Sequence, residues 1–217
     1  MNNEDVIKLL KTCYTGVVHD VMREMGLKNF TLPNSIKPLI NEKVICGPIF
    51  TVQGRVDETV TAHETLFAWT GLLSKAKAGH IWVSQPNDLT IAHMGELSAE
   101  TLHKKGVLGC IVDGGIRDAS FIKKLDFQVW RRFQTPRDVV QRWIPTAFDK
   151  DVIIGDVLLK PEDFVLADYD GIIRIPKEYV EEITLKSVEA MNTENKVRSA
   201  ILEGMDPQEA YLKWNKF

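Results

Sequence analysis

A stretch of 24 residues, Gly95–Asp118, constrains the fold more than any other part of the chain. Its sequence, GELSAETLHKKGVLGCIVDGGIRD, predicts a helix over Glu96–Gly106, a buried strand over Val107–Val112 and a glycine-rich turn after it. A helix of ten residues is about 15 Å long and a strand of six about 20 Å. An antiparallel helix and strand therefore return the chain to its starting level. The acid at the helix start is expected near Arg117 and Asp118.

The expected meeting point brings together two carboxylates, Glu96 and Asp118, and the guanidinium of Arg117. Ligands of α/β proteins usually bind beyond the open ends of strands, and the free amides of a helix start favour an anion. The amides of Leu97 and Ser98, just after Gly95, are thus placed to receive a substrate carboxylate. This pattern is typical of a site for a carboxylate substrate and a hard metal ion.

A purely structural interpretation of the same stretch is also open. Gly114 and Gly115 could make a tight turn, Asp118 could cap the helix of sequence ASFIKKL, and Arg117 could pair with Asp118 on the surface. The residue pattern alone does not separate this interpretation from a functional one.

Strand and helix patterns alternate along the rest of the chain. Helices are predicted over residues 3–14, 16–25, 61–73 and 178–203, with Thr15 as the cap of the second, and strands over 44–52, 80–84 and 127–131. After Arg132 the segments become shorter and are bounded by Gly, Pro and Asp, which indicates antiparallel strands. We therefore predict an α/β fold, a layered sandwich of mixed β-sheets flanked by helices, with residues 1–217 forming one domain.

Composition restricts the partners. Lys and Arg total 27 and Asp and Glu 30, so a net charge of −3 gives no electrostatic support for binding nucleic acid or an anionic membrane. The acidic start, MNNEDVIKLL, has no features of a signal peptide, and no apolar run approaches membrane-spanning length, so we expect a cytoplasmic protein. Three widely spaced cysteines, Cys13, Cys46 and Cys110, predict buried thiols without disulfides.

Other chemically capable residues carry weaker signals. The five histidines lack zinc-binding spacing, although His63 and His93 lie in or near the informative segments. Asp168 and Asp170 are typical of a hairpin turn. The arginines between positions 131 and 142 have aromatic neighbours, which could indicate RNA stacking, but in an acidic chain a subunit contact or a solvated rim is favoured.

The combination of a glycine and an acid, twenty residues and an Arg-Asp pair in DGG-x-RD resembles the RraA-like family. The resemblance continues through CGPIFTV near position 50, VDETVTAHETLF, IIGDVLLKPEDFVLADYDGIIRIP and the E-x-x-x-R-x-x-I-x-x-G pattern of Glu194–Gly204. Members of that family include divalent-metal pyruvate aldolases acting on 4-hydroxy-4-methyl-2-oxoglutarate and related acids, and also non-catalytic regulators of ribonucleases.

The resemblance implies a role for each residue of the predicted site. Asp118 would bind Mg²⁺ or Mn²⁺ directly, and Glu96, where the aldolases commonly carry Asp, would act through water and in proton transfer. Arg117 would bind the substrate and stabilise an enolate. Glu194, on the C-terminal helix, would reach a neighbouring subunit's site in a homotrimer or homohexamer, with that helix at the subunit interface.

The expected activity is that of a carbon–carbon lyase. A class II aldolase would cleave a 4-hydroxy-2-oxo acid to pyruvate and an oxo compound, with oxaloacetate decarboxylation as a side reaction through the same enolate. The alternative is a non-enzymatic regulator that binds a ribonuclease or a helicase; Phe121 stands where family members can carry a further acid. A Schiff-base aldolase is disfavoured because Lys104, Lys105, Lys123 and Lys124 form pairs typical of an exposed surface.

Overall fold

The computed structural model describes residues 1–216. Its helices are α1 (Asn3–Leu10), α2 (Thr15–Glu24), α3 (Ala62–Lys75), α4 (Glu96–Lys104), α5 (Ala119–Lys124), α6 (Val180–Leu202) and α7 (Pro207–Trp214), with a 3₁₀ turn at Lys177–Tyr179. Its strands are β1 (Lys37–Pro38), β2 (Ile45–Val56), β3 (Ile81–Gln85), β4 (Gly109–Ile116), β5 (Val129–Gln134), β6 (Trp143–Phe148), β7 (Val152–Ile154), β8 (Val157–Leu159), β9 (Phe164–Asp168) and β10 (Gly171–Ile175).

Eight strands form one mixed sheet in the order β1-β5-β4-β3-β2-β9-β10, with β6 also paired to β2. The strands β2, β3, β4 and β5 run parallel to one another, whereas β1, β6, β9 and β10 pair antiparallel to their neighbours. The short strands β7 and β8 form a separate antiparallel pair. The predicted mixed α/β sandwich is confirmed, including the antiparallel character of the second half.

Side-chain alternation along the parallel strands places two clusters on opposite faces of the sheet. Phe50 and Trp82 belong to the cluster that packs under α3, α4 and α5, whereas their neighbours Ile49 and Ile81 belong to the cluster covered by β7 and β8. A third cluster joins α1, α2 and α6 to β9 and β10. The helices α3, α4 and α5 thus lie on one face of the sheet. The predicted site, where the start of α4 meets the end of β4, lies on that face.

The glycine-rich turn predicted directly after Val112 is wrong, because the chain continues as a strand there. Asp113, Gly114 and Gly115 belong to β4, where the register with β5 shifts between Val112 and Gly115. Gly115 is needed for close packing: a Cβ there would lie 2.6 Å from the ring of Phe133 and 2.7 Å from a backbone oxygen. The strand therefore extends to Ile116, and the chain turns only after it.

Two details at the N-terminus also differ from the prediction. The first helix ends at Leu10 rather than at residue 14, because the amides of Thr12 and Cys13 bond to carbonyls three residues back and tighten the chain into a turn. Thr15 is the first residue of α2 and not its cap. Asp168 supplies the missing acceptor, taking hydrogen bonds from the Thr15 amide and hydroxyl, each at 2.7 Å. Its carboxylate thus has a structural role across the fold.

Further expectations concern the ends of strands and the cysteines. Arg131 donates to the carbonyls of Lys37 and Pro38, which ties β5 to β1 within the chain. The expected subunit contact or solvated rim for this arginine stays a prediction. The three cysteines are buried and unpaired, as predicted. Within residues 1–216, no helix is long and apolar enough to cross a bilayer.

Candidate functional site

The predicted site forms where the loop before α4 runs beside the end of β4. The amide of His93 donates to the carbonyl of Gly115 at 2.8 Å, and the amide of Arg117 donates to the carbonyl of Met94 at 2.9 Å. These two backbone bonds hold the start of α4 next to the residues that follow β4. The predicted proximity of Glu96 to Arg117 and Asp118 is therefore confirmed.

The carboxylate of Asp118 makes the contact between the two segments. Its Oδ2 atom accepts from the amide of Glu96 at 3.1 Å and lies 3.4 Å from Nε of Arg117. Asp118 stands at the N-cap position of α5, with φ of 55°, but its side chain makes no capping hydrogen bond to that helix. The left-handed backbone turns the carboxylate away from α5, so the capping role considered from the sequence is absent.

Gly95 provides the space in which the Arg-Asp pair lies. Its backbone is extended, at φ −140° and ψ −176°, so any residue could adopt this conformation. A Cβ there would nevertheless lie 2.8 Å from Oδ2 of Asp118 and 3.2 Å from Nε of Arg117. Glycine is required at this position by close packing against the site, and not by its backbone angles.

Arg117 lies between two carboxylates. Besides its contact with Asp118, its Nη1 donates to Oδ2 of Asp138 at 3.3 Å. Asp138 lies in the loop between β5 and β6, and sequence reasoning missed it because no motif marks that loop. The side chains of Arg117, Asp118 and Asp138 are each about two-fifths exposed, so solvent screens these pairs and leaves the guanidinium accessible.

A cavity of about 420 Å³ opens beside these residues. Its polar end holds Glu96, Arg117, Asp118 and Asp138. The remaining lining is mainly apolar: Leu66, Trp69, Leu73, Ala92, Met94, Leu97, Val139 and Val140, with Thr70, His93, Gly95, Ser98 and Thr101. A small organic acid can thus place its charged end against the polar residues and its carbon chain against the apolar wall.

The helix start offers the anion-binding groups that were predicted. Within residues 1–216, the amides of Leu97 and Ser98 make no hydrogen bond, as expected for the first turn of a helix. The hydroxyl of Ser98 accepts from the indole of Trp69 at 2.9 Å, which fixes α4 against α3. Leu97 is 78% exposed, so its side chain forms an apolar rim of the cavity.

The donor set fits a magnesium-like ion held mainly by water. In the described part of the chain, no three His, Cys, Asp or Glu side chains converge closely enough to enclose a metal. Mg²⁺ commonly uses only one or two protein carboxylates and keeps several waters. The partly exposed carboxylate of Asp118 meets that requirement, and the carboxylate of Glu96 makes no hydrogen bond within residues 1–216 that would withdraw it.

A buried pair, His93 and Asp88, was not predicted; His93 is among the residues that line the cavity, whereas Asp88 lies behind it. Nε2 of His93 is 3.1 Å from Oδ2 of Asp88, and the two side chains are 0% and 5% exposed. Burial lowers the pKa of His93, although its hydrogen bond to Asp88 opposes the shift. For Asp88, burial raises the pKa, but hydrogen bonds from Thr90, Ile91 and His93 outweigh it and hold the pKa at about 2. The only sequence signal was that His93 shortly precedes Gly95.

Glu194 lies apart from the other predicted residues within one chain. It accepts from the hydroxyl of Tyr14 and is 3.5 Å from Nζ of Lys216. It lines a groove of about 500 Å³ between α2 and α6 that shares no lining residue with the cavity. Burial and this hydrogen bond raise the pKa of Tyr14 to about 12. A role for Glu194 in a neighbouring subunit's site stays a prediction.

Comparison with known proteins identifies the relatives of this chain. The family model described as RraA-like, Aldolase/RraA, matches residues 15–174. The chain belongs to the RraA-like family. A relative from Halalkalibacterium halodurans named "Putative 4-hydroxy-4-methyl-2-oxoglutarate aldolase" is 27% identical over 209 residues, which cover 96% of this chain and 94% of the relative.

Solved structures that share this fold carry different descriptions. Streptomyces coelicolor RraAS2, described as an unusual member of the RNase ES inhibitor RraA protein family, is 25% identical, with a TM-score of 0.81 over 91% of this chain and 97% of that one. A structure described as one of novel cellulases from gut-associated microbes is 30% identical, with a TM-score of 0.85 over 90% and 88%. The descriptions of the proteins similar to this chain thus name more than one activity.

Proposed function

We propose that this RraA-like protein is a divalent-metal-dependent class II pyruvate aldolase. It cleaves a 4-hydroxy-2-oxo acid, of the 4-hydroxy-4-methyl-2-oxoglutarate type, to pyruvate and an oxo compound. The observation that carries the proposal is the convergence of Glu96, Arg117 and Asp118 at the polar end of one cavity. The name of the Halalkalibacterium halodurans relative supports the same reaction class.

Substrate binding uses the groups at the start of α4 and the end of β4. The substrate carboxylate accepts from the free amides of Leu97 and Ser98, where the helix dipole favours an anion. Arg117 donates to the α-keto oxygen with its planar fork. The carbon chain beyond C3 extends along the apolar wall formed by Trp69 and Val139. This pose places the bond to be broken within the cavity.

The residues present also support a metal-assisted mechanism. Asp118 would hold Mg²⁺ or Mn²⁺ directly, and Glu96 would act on the ion through water. When bound, the metal supplies Lewis-acid polarisation of the substrate's keto oxygen and so lowers the energy of the pyruvate enolate. Asp118 is fixed for this task by the amide of Glu96, so little reorganisation is needed on binding.

Arg117 acts on the charge that develops during cleavage. The electron pair of the broken C3–C4 bond becomes part of the enolate, whose oxygen bears the negative charge beside the guanidinium. Arg117 stays protonated at neutral pH and cannot act as the acid. Water held by Glu96 donates the proton that converts the enolate to pyruvate. Oxaloacetate decarboxylation forms the same enolate and is the expected side activity.

Screening for pyruvate release tests the proposal. Oxaloacetate and several 4-hydroxy-2-oxo acids are each incubated with the protein and Mg²⁺, Mn²⁺ or EDTA, and pyruvate is measured through a coupled dehydrogenase. Release with either metal, and its loss with EDTA, is the expected result. No release with any substrate and metal would contradict the proposal.

A regulator of a ribonuclease or helicase is the second candidate. The fold shared with Streptomyces coelicolor RraAS2 favours it, as does Phe121, which is 50% exposed next to the site. For this candidate we expect a measurable complex with the ribonuclease that survives Asp118→Asn and Arg117→Ala. If these variants lose both the complex with the ribonuclease and the release of pyruvate, the complex depends on the catalytic residues. That result would contradict a separate regulatory surface.

We further propose a cytoplasmic homotrimer or homohexamer with α6 at the subunit interface. The exposed apolar side chains Leu185 and Leu202 on α6 support an interface there, since they are 53% and 81% exposed in the single chain. The net charge of −3 supports a small-molecule substrate rather than nucleic acid or a membrane. Sedimentation velocity at micromolar concentration tests the assembly, and a monomer would contradict it.

A further inference from the structure

We infer that the substrate carries on C4 an uncharged alkyl or aryl group larger than the methyl group of 4-hydroxy-4-methyl-2-oxoglutarate. Cleavage then leaves this group on the oxo product. The inference rests on the proposed aldolase function and names its substrate class more closely. It is carried by the distribution of charged and apolar side chains in the lining of the cavity beside Arg117.

The charges of the cavity lining are mostly negative and include a single fixed cation. Glu96, Asp118 and Asp138 line the cavity together with Arg117, whose guanidinium nitrogens lie 3.4 Å from Asp118 and 3.3 Å from Asp138. Within residues 1–216, no lysine lines the cavity, and Arg117 is its one arginine. Burial lowers the pKa of His93, so that ring adds no positive charge at neutral pH. A carboxylate extending from C4 would thus be desolvated without a cationic partner, which is unfavourable.

The side chains farther from Arg117 form an apolar wall. Leu66, Trp69 and Leu73 follow one another at helical spacing and share one face of α3. Val139 and Val140, in the loop between β5 and β6, also line the cavity. Leu66 is 49% exposed, so a bound apolar group would remove surface from water. The wall therefore favours an alkyl or aryl group on C4.

The wall is longer than a methyl group can cover. The helical rise of about 1.5 Å per residue places Leu73 about 10 Å along α3 from Leu66. The cavity volume, about 420 Å³, lies within the range of sites that bind small organic ligands. Each additional methylene group buried against this wall should improve binding about fourfold. A larger apolar group thus gains affinity that a methyl group does not.

Contacts between separate segments hold the wall in place without a ligand. The amide of Gln141 donates to the hydroxyl of Thr65 at 3.2 Å, which joins the loop after β5 to α3. The indole of Trp69 donates to Ser98 and packs edge-on against Trp143, with ring centroids 5.8 Å apart. A preorganised wall selects its ligand with little ordering cost.

Two substrates that differ in one terminal group test the substrate class. In both, the methyl group of 4-hydroxy-4-methyl-2-oxoglutarate is replaced, by propyl in one acid and by 2-carboxyethyl in the other. The second acid thus has a carboxylate where the first has its terminal methyl. We expect kcat/KM for pyruvate release to be at least about tenfold higher for the propyl acid than for the carboxyethyl acid. The propyl acid should also exceed the methyl parent.

A cation placed on the wall should change this preference. Leu66→Lys offers the carboxyethyl group a partner and should shift the ratio of the two kcat/KM values toward that acid by about tenfold. Phe67→Lys is the matched control, because it adds the same charge at the next residue of α3, which is 73% exposed and outside the cavity lining. It should leave the ratio unchanged. An unchanged ratio in Leu66→Lys, or equal shifts in both variants, would contradict selection by this wall.

Binding measurements distinguish a wrong substrate class from a wrong function. The analogues without the 4-hydroxyl, 4-propyl-2-oxoglutarate and 4-(2-carboxyethyl)-2-oxoglutarate, cannot undergo aldol cleavage, and calorimetry should show tighter binding of the propyl analogue. Equal kcat/KM values for the two substrates, or a preference for the carboxyethyl acid, would overturn the substrate class alone. No pyruvate from any of the three acids, with the propyl analogue still bound, would overturn the aldolase function and the substrate class with it.

Discussion

The Oδ2 atom of Asp118 accepts a hydrogen bond from the backbone amide of Glu96 at 3.1 Å, across 22 positions of the chain. This contact joins the second residue after β4 to the first residue of α4. Glu96 and Asp118 are consequently held next to each other by one interaction between separate elements. A change at either end is expected to affect the other, which makes the contact a natural starting point for tests.

Asp118→Asn should abolish metal-dependent turnover and leave the fold intact. The amide retains an oxygen that can accept from Glu96, but it loses the charge that holds a hard cation. We expect pyruvate release below about 1% of wild type, with an unchanged thermal midpoint. Assays over a range of Mn²⁺ concentrations provide the measurement. Near-normal activity at limiting metal would show that Asp118 is not a ligand.

Arg117→Lys separates the charge of the arginine from its geometry. Lysine keeps a cation but replaces the planar fork by a flexible point charge, so transition-state stabilisation should fall by about 3 kcal/mol, or on the order of a hundredfold in kcat. We expect a smaller loss for oxaloacetate decarboxylation, in which no hydroxyl proton has to be removed. The kcat values of Arg117→Lys and Arg117→Ala on both substrates are to be compared. If lysine restores nearly full cleavage, Arg117 contributes only charge; if neither variant is impaired, the proposed mechanism is wrong.

Gly95→Ala should damage activity more than stability. The new Cβ would lie 2.8 Å from Oδ2 of Asp118, which must shift together with Arg117. Since the Gly95 backbone is extended, no conformational strain is added. We expect at least about a tenfold fall in kcat and a thermal midpoint within a few degrees of wild type.

The matched control is Gly71→Ala, in the middle of α3, where an added Cβ meets nothing within 4 Å. It should leave kcat unchanged and stabilise the helix by up to about 1 kcal/mol. Equal activity losses in both variants would indicate that the Gly95 effect is not specific to the site. Thermal unfolding and pyruvate release are measured on the same samples.

Asp88 should make stability depend on pH at the acidic end. Its pKa falls from the ordinary 3.8 to about 2 in the folded protein, so the unfolded state binds the proton first. The stabilisation is present above about pH 4 and is lost as the pH falls toward 2. The difference corresponds to about 2 kcal/mol. Urea unfolding of Asp88→Asn should show a flatter pH profile over this window, whereas Asp170→Asn, at an exposed turn, should retain the wild-type profile. Identical pH profiles for Asp88→Asn and wild type would contradict the lowered pKa of Asp88 in the folded protein.

Hybrid oligomers test whether Glu194 serves a neighbouring site. Within one chain its carboxylate accepts from Tyr14 and lines a different groove from the one beside Asp118. If Glu194 acts across an interface, mixed oligomers of Glu194→Ala and Asp118→Asn should partly regain activity. Activity is measured on purified hybrids of verified composition. Without recovery, Glu194 has no role in the site, since within one chain it lies apart from Asp118.

The class of fold and the main site residues could be predicted from the sequence because local patterns determine them. The helix over Glu96–Lys104 and the strand before Arg117 follow from hydrophobic spacing and glycine stops, and their lengths alone predicted that their ends meet. The resemblance carried by Gly95, Arg117 and Asp118 predicted the family, which the comparisons confirm. Short segments bounded by Gly, Pro and Asp likewise predicted antiparallel strands in the second half.

Contacts between distant segments were decided by the tertiary structure. Asp138 contacts Arg117, and Asp168 accepts hydrogen bonds from Thr15, because the fold brings together segments that share no local pattern. Gly114 and Gly115 were assigned to a turn because glycine favours turns locally, whereas packing against neighbouring side chains places them in β4.

His93 shows most clearly which contacts cannot be predicted from the sequence alone. Its spacing from Asp88 carries no recognisable motif, and a histidine among apolar residues is locally indistinguishable from a structural one. Only the folded loop buries both side chains and joins Nε2 to the carboxylate. The sequence by itself determined which elements form and which charged groups gather at α4 and β4, because hydrophobic period and turn chemistry are local. The tertiary structure decided which side chains become buried partners, because burial and hydrogen bonding depend on segments far apart in the chain.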